Sequence, residues 1–157
     1  MKIFIFFTCL ALCTAVLEDF HKFTTRFFRG IGITENMEFI NKCMTKEEEM
    51  SWEKIYMELR KLDGNVPLNV FTRYANTIMT LVTNAYPCAT EKHKIETITN
   101  KIIKLLTDGL KFIEKFTRNR SRINDTLRTQ LDANDRGDFE RAGAIAGNLV
   151  NWFFLIN

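Results

Sequence analysis

Apolar residues recur along this chain at intervals of three and four, and nowhere alternate over the length a strand needs. Val16, Phe20, Phe23, Phe27 and Ile31 make a first stripe, closed by Gly30 and Gly32. A short second element runs from Thr34 through Met37, Ile40 and Cys43. Thr45-Lys46-Glu47-Glu48 has the spacing of a capping box, in which the threonine hydroxyl and the Glu48 carboxylate satisfy two orphan backbone N–H groups. The helix it opens carries Trp52, Ile55, Tyr56, Leu59 and Leu62 on one face, and Gly64 is placed to finish it in the left-handed conformation.

Pro67 suits the first turn of a fourth helix, with Phe71, Tyr74, Ile78, Leu81, Val82 and Ala85 inward and Pro87 as its stop. The longest helix starts at Thr90 and turns Ile95, Ile98, Ile102, Leu105, Leu106, Ile113 and Phe116 inward. Gly109 lies inside it, marking a kink or a close crossing. Ile123, Leu127 and Leu131 continue the pattern after a break at 119–121, and a last helix runs from about Phe139 to Leu155. The pattern predicts an all-α fold, a single helical bundle of six or seven helices with one disulfide. No repeat, low-complexity tract or interdomain linker interrupts it.

The first residues change the picture of where the chain works. Lys2, an apolar run from Ile3 to Leu12 broken only by Thr8, and the small residues Cys13 and Ala15 have the layout of a secretory signal peptide cleaved after Ala15. About 14 apolar residues are too few to cross a bilayer comfortably. The expected organisation is therefore a signal peptide over 1–15 and a helical-bundle domain over 16–157. The expected location is outside the cell or in the lumen of the secretory pathway. Cys9 and Cys13 leave with the leader, so Cys43 and Cys88 remain, and in an oxidising compartment they form a disulfide. Closing a loop of about 45 residues this way is worth roughly 4 kcal/mol by chain entropy. Asn119-Arg120-Ser121 and Asn124-Asp125-Thr126 are acceptor sequons, which make Asn119 and Asn124 the expected glycosylation sites.

Candidate chemistry is sparse. The net charge of +3 falls to +2 once Lys2 is removed, a balance that gives no case for a nucleic-acid partner. His21 and His93 lie on different helices, without carboxylates or thiols at ligand spacing, so neither a metal nor a cofactor is expected. Ser51 and Ser121 are the only serines, and neither sits in a nucleophile elbow. Glu47-Glu48-Glu49 complements a helix N-terminus rather than offering acid–base groups. The expectation is that the protein is not an enzyme.

Charge is uneven, however. Between Lys92 and Arg128 ten basic residues face four acidic ones. Lys94, Lys101, Lys104, Lys111 and Lys115 are spaced to share one face of the long helix, a docking face for an acidic protein or for anionic lipid headgroups.

The segment "DRGDFERAGAIAG" holds the adhesion tripeptide Arg136-Gly137-Asp138, but Asp138 stands directly before an apolar-periodic run. There it reads as a helix cap meeting the positive helix end, with Gly137 in the turn. Beyond it, Ala142, Gly143, Ala146 and Gly147 form a small-residue strip suited to close helix packing.

"FHKFTTRFFRGIGITENMEFINKC" near the start, "PC" in the middle and "GDFERAGAIAGNLV" near the end resemble a loose group of small secreted helical proteins of ciliates. Arg29, Gly30 and Gly32 match its opening, and Cys43 and Cys88 its cysteines. Gly137, Asp138, Phe139, Ala142, Gly143 and Gly147 match its closing segment. The chain lacks the further cysteine common late in that group. The resemblance implies architecture and secretion but no activity.

Function is thus expected to be binding: a secreted, non-enzymatic structural or protein-interaction protein with a partner still to be identified. Eleven phenylalanines outside the leader also suit a carrier holding a hydrophobic small molecule or lipid between the helices. A third class is a membrane-active protein exposing Trp152 to Leu155.

Overall fold

The computed structural model describes residues 17–156, so the expected leader and Val16 lie outside them. Among the described residues the chain is helical throughout, without a strand. Helix α1 covers residues 17–30. It is followed by α2 (Met37–Lys42), α3 (Lys46–Arg60), α4 (Leu68–Ala85), α5 (Lys92–Thr107), α6 (Gly109–Arg118), α7 (Arg120–Asp135) and α8 (Phe139–Val150). A 3-10 turn, Tyr86–Cys88, precedes α5, and a π turn, Asn151–Leu155, follows α8.

Eight helices replace the expected six or seven because the long helix is split. Asp108 leaves helical geometry at φ −87°, ψ 78°, and its carboxylate accepts from the Lys111 N–H, so it caps α6. Gly109 has open space where a Cβ would stand, so it marks this break and not a close crossing. The break also resets the inward face. Phe112 and Phe116 are buried, whereas Ile113, expected inward, is exposed.

Other boundaries follow local chemistry. Thr45 and Glu48 form the capping box of α3, with the Thr45 N–H donating to the Glu48 carboxylate at 2.8 Å. Asp138 caps α8 by accepting from the Arg141 N–H at 3.1 Å, while Gly137 takes φ 77° in the turn before it. The tripeptide Arg136-Gly137-Asp138 is therefore the start of a helix, as its position implied.

Two aromatic groups fill the core. Phe20, Phe23 and Phe27 stack along α1, and Phe23 meets Trp52 of α3 with ring centroids 4.6 Å apart. Phe71 of α4 gathers Phe112, Phe116 and Phe153 at 5.0 to 6.0 Å. The two groups join where Phe71 stacks with Tyr74, which in turn faces Trp52. Such contacts add directional preference to the burial of large apolar area.

One polar side chain crosses this core. Gln130 of α7 is fully buried, accepts from the Tyr74 hydroxyl at 2.9 Å and donates to the Tyr56 hydroxyl at 2.9 Å. Burial pushes both phenols well above their ordinary pKa, so they remain neutral donors and acceptors.

Helix α8 reaches α1 through its small residues. A Cβ on Gly147 would stand 2.7 Å from the Phe27 carbonyl oxygen and 3.0 Å from the Gly30 Cα. The two helices thus meet backbone to backbone, at a separation only glycine allows.

The disulfide Cys43–Cys88 joins the end of α2 to the 3-10 turn, with Cα atoms 5.9 Å apart. Beside it, the Glu35 carboxylate accepts from the N–H and hydroxyl of Thr90, at 2.6 and 2.7 Å, and from the Glu91 N–H at 3.1 Å. Bridge and carboxylate together hold the α1–α2 loop against the entry to α5.

Candidate functional site

The break at Asp108 also redistributes the lysines that a continuous helix would have aligned. Lys94 remains near the start of α5, paired with Glu91 at 2.7 Å. Lys101 and Lys104 of α5 and Lys111 and Lys115 of α6 instead line a cleft of about 320 Å³, closed by Leu105, Asp108 and Phe154. Four of the five lysines therefore converge on a recess at the α5–α6 corner, and Lys94 lies outside it.

The recess keeps an excess of positive charge. Among the described residues Asp108 is its one lining carboxylate, and it is engaged with Lys111 at 3.1 Å while capping α6. Lys101 and Lys115 donate to the Leu155 and Ile156 carbonyls at 3.2 Å each, and those acceptors carry no charge. The Lys115 ammonium also stands 5.5 Å over the Phe153 ring, and partial burial lowers its pKa. Among the described residues, Lys101, Lys104 and Lys115 form no ion pair with a carboxylate. At the corner itself Leu110 is 83% exposed, and Ile103 and Ile113 are exposed on either side of it in sequence.

A second recess, of about 380 Å³, opens between α1, α3 and the α7–α8 turn. Its walls are aromatic and its charged groups are mainly acidic: Asp19, Glu49 and Glu53, against Arg60. Arg60 is drawn off by Asp135, to which its Nε donates at 3.0 Å. Sequence reasoning did not find this recess, because its residues come from chain positions more than a hundred apart and no local pattern joins them.

The remaining singled-out residues have structural surroundings. The ring nitrogen Nε2 of His21 lies 2.8 Å from the Met44 carbonyl, tying α1 to the α2–α3 loop. Asn119 donates to the Lys115 carbonyl at 2.8 Å, at the junction of α6 and α7. Asn124 accepts from the Val66 N–H at 3.0 Å and donates to Asn65 at 3.1 Å, so both sequon amides are engaged and half-buried. Ala142 and Ala146 are fully buried beside Gly143 and Gly147. Phe153 and Phe154 belong to the core, and Trp152 lies under the Arg122 guanidinium at 4.0 Å. No described helix is long and apolar enough to cross a membrane.

The chain matches no protein-family model, and no curated protein or solved structure matches it. Function must therefore be argued from these two recesses.

Proposed function

We propose that this is an exported, disulfide-pinned binding protein without catalytic chemistry of its own, and that it docks an acidic segment of a protein partner in the lysine cleft. The observation that carries this reading is the convergence of Lys101, Lys104, Lys111 and Lys115 on one recess where, among the described residues, a single and already committed carboxylate stands. Ammonium groups around a concavity focus potential on a ligand that enters it. A planar membrane meets projecting groups, whereas a recess is filled by a protruding chain bearing carboxylates. Exposed Leu110 and Ile113 offer apolar contact next to this charge, the mixture of anchor and electrostatic steering that protein interfaces use. The disulfide suits an oxidising compartment, which agrees with the leader-like N-terminus.

The test is fluorescence anisotropy with a labelled hexaglutamate peptide, run beside sedimentation with vesicles of mixed phosphatidylserine and phosphatidylcholine. Wild-type protein should bind the peptide in a salt-sensitive way, and Lys104→Glu with Lys111→Glu should weaken binding about tenfold or more. Peptide binding indifferent to that charge reversal overturns the reading. Vesicle binding without peptide binding replaces the acidic protein with a membrane surface.

A further inference from the structure

The recess between α1 and α3 has the opposite electrostatic sign to the lysine cleft, and its chemistry is more specific. Phe20, Phe23, Trp52 and Tyr56 form its floor, each nearly covered by its neighbours but lining the opening. Met57 and Phe139 stand at the less buried side. A volume of about 380 Å³ falls in the range of small-molecule sites.

Three carboxylates border these rings. Glu49 is buried and satisfied by Lys46 at 2.7 Å, and Asp19 is paired with Lys22 at 3.4 Å. Glu53 is exposed and, among the described residues, makes no hydrogen bond or ion pair. Among the described residues Arg60 is the single lining cation, and its charge is directed to Asp135. The described charges around the recess are therefore negative in balance, and Trp and Tyr are side chains whose rings attract cations.

We infer that this recess is a binding site for a small lipophilic cation, an amine or quaternary ammonium carrying an apolar body. The apolar part replaces water against Phe20, Met57 and Phe139, and the cationic head meets Glu53 and the Trp52 and Tyr56 rings. A neutral lipid would bury against the same rings but gain no attraction from the Glu53 carboxylate. An anion would be repelled outright. The inference does not depend on the lysine cleft, which is lined by different helices.

An isosteric series separates these cases: 4-phenylbutylamine, 4-phenylbutanol and 4-phenylbutyrate, titrated against the intact protein. Binding is followed by calorimetry and by the NMR signal of the Trp52 indole Nε1–H. The amine should bind about tenfold more tightly than the alcohol, and the carboxylate should not shift the Trp52 signal. Glu53→Gln, a change at an exposed side chain, should weaken the amine severalfold and leave both the alcohol and the melting temperature unaltered. Lys104→Glu with Lys111→Glu should leave amine binding intact. Equal affinity for amine and alcohol, an unmoved Trp52 signal at millimolar amine, or amine binding indifferent to Glu53→Gln would each overturn the assignment.

Discussion

Gly143 packs directly against the main chain of Phe23. A Cβ added at Gly143 would overlap the Phe23 carbonyl oxygen and stand 2.8 Å from the carbonyl carbon. Backbone atoms have no rotamer by which to give way, so the helices themselves would have to separate. Gly143→Ala should destabilise the fold by about 3 kcal/mol, and Gly143→Leu by more. Gly109→Ala is the control, because open space surrounds that position and alanine favours a helix start over glycine. Thermal denaturation of the three variants checks the contrast, and equal melting temperatures would contradict the close crossing.

Gln130 hydrogen-bonds the hydroxyls of both Tyr56 and Tyr74, so its replacement strands two hydroxyls in the core. Gln130→Leu should cost about 2–4 kcal/mol, although leucine is the more hydrophobic residue. Adding Tyr56→Phe and Tyr74→Phe to that variant should recover part of the loss. Urea denaturation of the single and triple variants measures both steps.

Asp138→Ala should cost about 1 kcal/mol through the lost N-cap of α8. Arg136→Ala, in the same tripeptide, should change stability little, because its exposed side chain makes no ion pair among the described residues. A cell-adhesion assay should find both variants and the wild-type chain equally inactive. Adhesion that requires both residues would restore the receptor-binding reading of this turn.

Acid should loosen the fold through two glutamates. Burial opposes ionisation of Glu35, but hydrogen bonds from the Thr90 backbone and side chain and the Glu91 backbone outweigh it and hold the pKa below the ordinary 4.5. Burial likewise opposes ionisation of Glu48, and bonds from Thr45 and Asn84 overcome it. A carboxyl with a lowered folded-state pKa contributes stability that is fully present above the unfolded value. That stability is lost as pH falls through the folded one. The melting temperature should therefore be flat at neutral pH and decline below about pH 4.5. Glu35→Gln should shrink that decline while lowering stability at pH 7, and an unchanged acid slope would remove Glu35 from the account.

Much of this architecture was legible because its signals are local. Thr45 and Glu48 announce a helix start by their spacing, and Asp138 does so by preceding an apolar run. Cys43 and Cys88 are the two cysteines outside the expected leader, and they are joined. The break at Asp108 was harder to place, since Phe112 and Ile113 are adjacent apolar residues and either can continue the stripe on its N-terminal side. Only the structure shows that Phe112 turns inward and Ile113 out. Gln130 carries no mark in a polar helix, because what makes it central is the pair of tyrosines that reach it from α3 and α4. The lysine cleft was half-visible as a charge excess, while its concavity depends on a bend that periodicity conceals. The acidic aromatic recess had no sequence signal at all.

The glycine crossing of α1 with α8 has a bearing on how the polypeptide is made. A ribosome delivers α1 first, and its partner surface arrives more than a hundred residues later. Until then Phe23 and Phe27 have no glycine strip to lie against, so the α1–α8 crossing is the last part of the core that the growing chain can complete.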